Sequence, residues 1–325
     1  MQSRIVASLL RTSRFRCSTA PPTTSYCSFS TESSSNEPKN VLLVGCSGTL
    51  GSTIASHLKE TYHCTLIGVD FTEPSPSSLV DAFIELSPDH ASIPELTHGM
   101  QQGLEETLES PQQAFDAMIV TSGGFAIDPT FESGEENDAI VQSIQVHEDL
   151  MKMNYNPLVA TGALLSKYMT HTNGLMVGIG ATASLYPQPT LQAYGSSKAA
   201  AAYYLASLGH STAKSLKNKY VMRDQSADAK LKRSRMPHLT SLTVLGILPE
   251  TLDTEVNRRE MEHMTERQQK EARTWTPPLD IARQIGIWVE IPSLRPHSGS
   301  LVKTVTSPVE VEGRGVGRTE FKLVR

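Results

Sequence analysis

From Asn40 onward, short runs of β-branched and aliphatic residues alternate with longer stretches in which apolar side chains recur every three to four positions. Short apolar runs suit strands buried on both faces, and the longer pattern suits helices that cover them. Strands are predicted at residues 41–45, 65–70, 117–121, 175–179, 241–247 and 300–304, with a weaker candidate at 82–86. Helices are predicted at about 50–60, 93–109, 148–169, 191–213 and 279–289. Six or seven strands joined by helices define an α/β chain with a doubly wound parallel sheet in three α/β/α layers.

Composition changes this picture mainly at the N-terminus. In the first 31 residues Arg4, Arg11, Arg14 and Arg16 stand among many Ser and Thr, no acid occurs before Glu32, and Ile5, Val6, Leu9 and Leu10 form a short apolar face. Such a stretch fits an organelle transit peptide, mitochondrial first and plastid second; the alternative is an untargeted tail on a cytoplasmic protein. Residues 1–38 are therefore set outside the fold, leaving 39–325 as a single domain. Within it, residues 214–235 carry eight basic side chains against Asp224 and Asp228, a basic insertion near 214–236. A solvated helix extension and loop is favoured there over a polyanion-binding patch.

The whole chain has 325 residues, is 38% hydrophobic and carries a formal net charge of −5, which gives no sign of a nucleic-acid or anionic-membrane partner. No uninterrupted apolar run approaches the roughly 18–20 residues that cross a bilayer. A soluble protein is expected. Cys17 and Cys27 fall in the N-terminal extension, and Cys46 and Cys64 have neither metal-ligand spacing nor a disulfide framework, so no metal site is expected.

Three local patterns carry chemistry. Gly45-Cys46-Ser47-Gly48-Thr49-Leu50-Gly51 follows the first strand and opens the first helix. Glycines there let the backbone turn tightly and approach a pyrophosphate, while helix N-terminal amides face the phosphates, which makes the sheet Rossmann-type. The second strand ends in Asp70, 25 residues past Gly45, where a carboxylate takes the adenosine ribose hydroxyls and repels a 2′-phosphate. No Arg or Lys stands in the glycine loop, so NADH is favoured over NADPH. Finally, Tyr194 and Lys198 lie four apart near the start of a long helix, on one face. An ammonium beside the phenol, with an oxidised nicotinamide, is expected to lower the phenol's pKa toward a useful value for proton transfer.

These residues resemble the cofactor and catalytic motifs of the short-chain dehydrogenases/reductases. Ser122-Gly123-Gly124-Phe125-Ala126, the run 248–254 with Asn257-Arg258, Trp275-Thr276-Pro277 and Ser298-Gly299-Ser300-Leu301 narrow the resemblance to the quinonoid dihydropteridine reductases, from about residue 41 to the C-terminus. The resemblance implies a hydride transfer from NADH to a quinonoid dihydropterin, with Tyr194 supplying the proton and Lys198 holding the nicotinamide ribose. The superfamily resemblance further implies a structural and proton-relay role for Asn154, cofactor contacts from Ser47, Leu50, Ser122, Gly123, Gly124 and Pro249, and a carboxamide contact from Thr254. Ala181 stands thirteen residues before Tyr194, where most of the superfamily has a carbonyl-holding serine that the pteridine enzymes lack. A conjugated imine accepting hydride creates no alkoxide, so that donor is dispensable. Glu250 replaces the glycine typical of its position. Phe125 takes the place of a family Trp, for stacking the pterin or for packing. Trp275 and Thr276 are candidates for a lid or for packing.

Two other readings remain. A carbonyl or enone reductase would use Thr182 or Ser184 as the missing hydroxyl, and a non-catalytic NAD-binding protein would act through partners. The second does not account for Tyr194 and Lys198 together. The superfamily resemblance implies a homodimer through the two long helices before and after the fifth strand.

Overall fold

The computed structural model describes residues 37–89, 91–109, 115–128, 136–169, 173–212, 242–260, 275–311 and 314–324. Residues 1–36 of the predicted leader and the basic stretch 214–236 lie outside them. The elements in chain order are β1 (Asn40–Val44), α1 (Thr49–Tyr62), β2 (Thr65–Asp70), β3 (Ala82–Glu85), α2 (Ile93–Thr107), β4 (Ala117–Val120), α3 (Glu136–Asn154), α4 (Asn156–Tyr168), β5 (Leu175–Ile179), α5 (Gln192–Thr212), β6 (Thr243–Leu248), α6 (Glu255–Glu260), α7 (Pro278–Glu290), β7 (Ser300–Val311) and β8 (Arg314–Leu323).

Alternation along the strands sorts their side chains into two layers. Leu42, Val44, Met118, Val120, Met176 and Val244 face a core with Met100 and Leu104 of α2, Leu165 of α4 and Leu205 of α5. Val41, Leu43, Ile119, Val177, Leu245 and Ile247 face the other, with Ile54 and Leu58 of α1 and Ile285 and Trp288 of α7. Each such side chain contributes about 1.5–3 kcal/mol on leaving water. One eight-stranded sheet results, ordered β3-β2-β1-β4-β5-β6-β7-β8. Strand order reverses between β1 and β4, both parallel to their neighbours, and that switch point opens a crevice at the strands' carboxyl ends.

Two predictions are corrected. The helix predicted at 148–169 is two helices, broken at Tyr155, and the first begins at Glu136. Pro157, in the first turn of α4, lacks the amide that would have continued the ladder to Met153; at a helix start that amide has no intrahelical partner anyway. The sheet also extends beyond the seven predicted strands: β7 runs to Val311, and β8 pairs with it antiparallel from Val302↔Leu323 to Val311↔Arg314. Pro308 and the glycines at 313, 315 and 317 read as loop signals. Because β6 pairs with β7 only as far as Lys303, the outer part of β7 is bonded on one side, where proline is tolerated.

Among the described residues no helix is long and apolar enough to cross a membrane, and no cluster of three or more His, Cys, Asp or Glu is placed to hold a metal.

Candidate active site

The turn after β1 is built around two glycines. Gly45 has φ +87°, and a Cβ there would stand 2.5 Å from the Ser122 nitrogen. At Gly51 a Cβ would run into the Gly45 carbonyl oxygen, so only glycine lets α1 fold back onto the turn that starts it. Gly48 is the N-cap of α1 and supplies no side-chain cap, leaving first-turn amides and the positive end of the helix dipole for an anionic ligand. Gly48, Leu50 and Gly51 line the large cavity above the crevice.

Ser47 and Asp70 are bonded together: the Ser47 N–H donates to the Asp70 carboxylate at 2.9 Å, and the Phe71 N–H donates to its other oxygen at 2.8 Å. The Ser47 hydroxyl donates to the Thr72 carbonyl. The acid at the end of β2 is thus held against the glycine loop, and the Ser47 side chain is committed to that support.

After β4, Thr121 donates to the Gly45 carbonyl at 2.9 Å, tying this segment to the glycine loop. Ser122 packs against Gly45, while Gly123, Gly124 and Phe125 line the cavity. Asn154, buried at the end of α3, clamps the segment: its Oδ1 accepts from the Gly124 N–H at 2.9 Å, and its Nδ2 donates to the Gly124 carbonyl at 3.2 Å and to Ser197 Oγ at 3.0 Å. Ser197 in turn donates to the Tyr194 carbonyl at 2.8 Å. Asn154 thus holds Gly124 and Ser197 in place, its Nδ2 donating twice and its Oδ1 accepting once. Asp128 completes the clamp by accepting the N–H groups of Gln192 and Ala193, which begin α5.

Tyr194 and Lys198 share one face of α5, as predicted from their spacing, with the ammonium 5.8 Å from the phenol ring centre. Phe125, 60% exposed, meets the Tyr194 ring edge-on at 5.0 Å. Lys198 is buried, its Nζ donating to the Ile179 carbonyl at 3.4 Å. Burial pushes the Lys198 ammonium down to about 8 and the Tyr194 phenol up to about 12. The expected lowering of the phenol is thus reversed in the protein alone, where desolvation of the phenolate prevails.

The far wall comes from the ends of β5 and β6. Ala181 and Thr182 line the cavity, whereas the Ser184 hydroxyl donates to the Ala181 carbonyl at 2.7 Å. Thr182 N–H donates to the Pro249 carbonyl at 2.9 Å, joining this turn to the loop after β6. Pro249 and Thr254 both line the cavity, and Asn257 braces their loop by donating to the Leu252 carbonyl at 2.8 Å. Thr276 is buried and bonded in both directions to the backbone of Thr251 and Asp253, so it anchors the loop rather than closing over it. Asp128, Ser197 and Lys303, another cavity-lining residue, escaped sequence reasoning. Their partners are distant in the chain, and no local spacing marks them.

The cavity these residues enclose measures about 760 Å³, within the roughly 300–1,000 Å³ usual for cofactor and substrate sites. The glycine turn and open helix start that line it, with Asp70 bonded to the glycine loop outside the lining, fit a nicotinamide dinucleotide, and Tyr194 and Lys198 line the same cavity.

A family model described as short chain dehydrogenase matches residues 39–217. Across 269 residues, 82% of this chain and 95% of the relative, the sequence is 26% identical to a dihydropteridine reductase of Dictyostelium discoideum. Among solved structures, a short chain dehydrogenase family protein from Francisella tularensis subsp. tularensis SCHU S4 superposes with TM-score 0.58 at 17% identity, covering 82% of this chain and 97% of that one. A 7α-hydroxysteroid dehydrogenase complexed with NADH and 7-oxo glycochenodeoxycholic acid gives TM-score 0.55 at 17% identity, covering 86% and 95%. The chain belongs to the short chain dehydrogenase family, oxidoreductases that work with a nicotinamide dinucleotide.

Proposed function

We propose that the protein reduces quinonoid dihydropterins with NADH. The observation that carries this reading is the likeness to a relative named dihydropteridine reductase, which spans 95% of that relative. Ala181 supports it, because the superfamily's carbonyl-holding serine is absent where an imine acceptor does not need it. Phe125 supplies an exposed aromatic face beside Tyr194 for a flat ring system.

Bound NADH supplies the hydride, from C4 of its nicotinamide ring. First-turn amides of α1 receive the pyrophosphate, and Asp70 selects the unphosphorylated ribose by its charge. Lys198 holds the nicotinamide ribose and, as a cation, steadies the phenolate left when Tyr194 gives its proton to the pterin. Gly123, where a Cβ would stand 2.9 Å from the Lys198 Nζ, leaves room for that ammonium, and Gly124 beside it is clamped by Asn154. Quinonoid dihydropterin, NADH and one proton yield tetrahydropterin and NAD⁺.

Two further expectations complete this reading. The exposed Ile140, Val141 and Ile144 on α3 and Tyr203 on α5 would be covered by a second copy of the chain, giving a homodimer. The Arg- and Ser-rich residues 1–38 would deliver the protein to mitochondria.

The test is NADH oxidation by the full chain with quinonoid 6-methyl-dihydropterin generated in place, compared with NADPH and with simple ketones. Pterin-dependent, NADH-preferring turnover is expected. Turnover of ketones alone would move the assignment to a carbonyl reductase using Thr182.

A further inference from the structure

The mechanism above leaves two charged groups of the cavity unused. Among its described lining residues Glu250 is the one carboxylate, and Lys303 the one ammonium besides Lys198. Neither is paired with another described side chain.

Both lie toward α5, the helix that carries Tyr194 and Lys198. Glu250 follows Pro249, whose carbonyl is bonded to the Thr182 N–H, so it stands beside the turn leading to α5. Lys303 pairs with Leu248 at the end of β6. Its neighbours Val302 and Thr304 point into the α7 layer, Val302 against that core and Thr304 to the Thr276 hydroxyl. Lys303 therefore emerges on the opposite face, with Leu301, which packs in the core that holds Leu205 of α5. Tyr194 and Lys198 are on α5.

The dinucleotide does not account for both groups. Its phosphates repel a carboxylate, and its nicotinamide carboxamide, which also sets N–H donors beside a carbonyl, is the group assigned above to Thr254. A simple ketone offers one acceptor and nothing for Glu250. A pterin ring, by contrast, presents an aminopyrimidinone edge in which N–H donors stand next to a carbonyl acceptor.

Resting on the pterin reading above, the geometry points to a polar clamp for that edge: Glu250 accepts the pterin's N–H donors and Lys303 donates to its carbonyl oxygen. The two groups fix which edge of the ring enters the cavity and so which ring face meets the hydride donor. Charge-assisted bonds of this kind are the strong, orienting ones in a binding site.

Glu250→Gln and Lys303→Met in the full chain test it, with the KM for quinonoid 6-methyl-dihydropterin and the dissociation constant of NADH measured separately. Glu250 is exposed and Lys303 half-buried, so both variants keep the core intact. In each variant the pterin KM rises about tenfold or more, the loss expected for a charge-assisted hydrogen bond, while NADH binding holds. A pterin KM unchanged in both variants, with the parent chain active on pterin, overturns the clamp and leaves the pterin reading standing. Weakened NADH binding in step with the pterin KM overturns it too, assigning the pair to the cofactor. A parent chain that binds NADH and turns over no pterin overturns both.

Discussion

Lys198 shows how one residue sets the site's pH behaviour. Burial brings its ammonium from the ordinary 10.5 down to about 8, so the charge proposed to hold the nicotinamide ribose is already half lost at mildly alkaline pH. Two effects of opposite sign follow. The unfolded chain binds more protons than the folded one between about 8 and 10.5, so this group makes folding more favourable as pH rises through that window. Activity runs the other way: kcat/KM for NADH is expected to fall above about pH 8 along a single ionisation, and Lys198→Arg, which keeps its charge, is expected to move that limb to higher pH. A pH profile of both proteins checks it; a flat alkaline limb in the parent contradicts it. Glycines 45, 48 and 51 and the Tyr194–Lys198 pair were legible in the sequence because their chemistry depends on spacing within one turn or one helix. Asp128 and Ser197 were not. Their bonds reach 65 residues to Ala193 and 43 residues to Asn154, and only the folded sheet brings those partners together.

Elements carry the site through contacts that no single motif encodes. A buried chain of hydroxyls links Thr276 to Thr304 at 2.8 Å and to Thr306 at 3.3 Å, Thr306 to Thr319 at 3.1 Å, and Thr319 to Asp280 at 2.7 Å. It joins β7, β8 and the start of α7 to the Thr251–Asp253 backbone and so to the loop carrying Pro249 and Thr254. Thr276→Val leaves buried hydroxyls of β7 without that partner and is expected to cost about 1–3 kcal/mol by denaturant unfolding, with a raised KM for NADH. Thr276→Ser is expected to restore both; a loss in Ser with none in Val would show that the methyl packing, not the hydroxyl, holds the loop. The hairpin behind this network was hidden in the sequence because Pro308 and the nearby glycines signal a loop, and pairing on one side made them tolerable. In the same way, helix periodicity ran continuously across Asn156-Pro157, and the break at Tyr155 was visible only as a single proline.

At the scale of the whole molecule, the doubly wound order was legible because apolar runs buried on both faces leave few alternatives to a parallel sheet covered by helices. How copies of the chain would meet in the proposed dimer is written less plainly. Ile140, Val141 and Ile144 lie within one turn of α3 and stay exposed, an arrangement that favours association. Sedimentation is expected to show a dimer for the parent chain and a monomer for Ile144→Glu, and a monomeric parent would remove that proposal. In the proposed function, this cavity passes hydride to a quinonoid pterin while Tyr194 gives the proton. Its most direct test is a single turnover: full chain saturated with NADH, mixed rapidly with quinonoid 6-methyl-dihydropterin, with loss of NADH absorbance followed in the parent and in Tyr194→Phe. Pterin-dependent oxidation, slowed about 10²–10⁴-fold in the variant with NADH still bound, is the predicted result. No oxidation in the parent, or equal rates in the two proteins, would contradict the account.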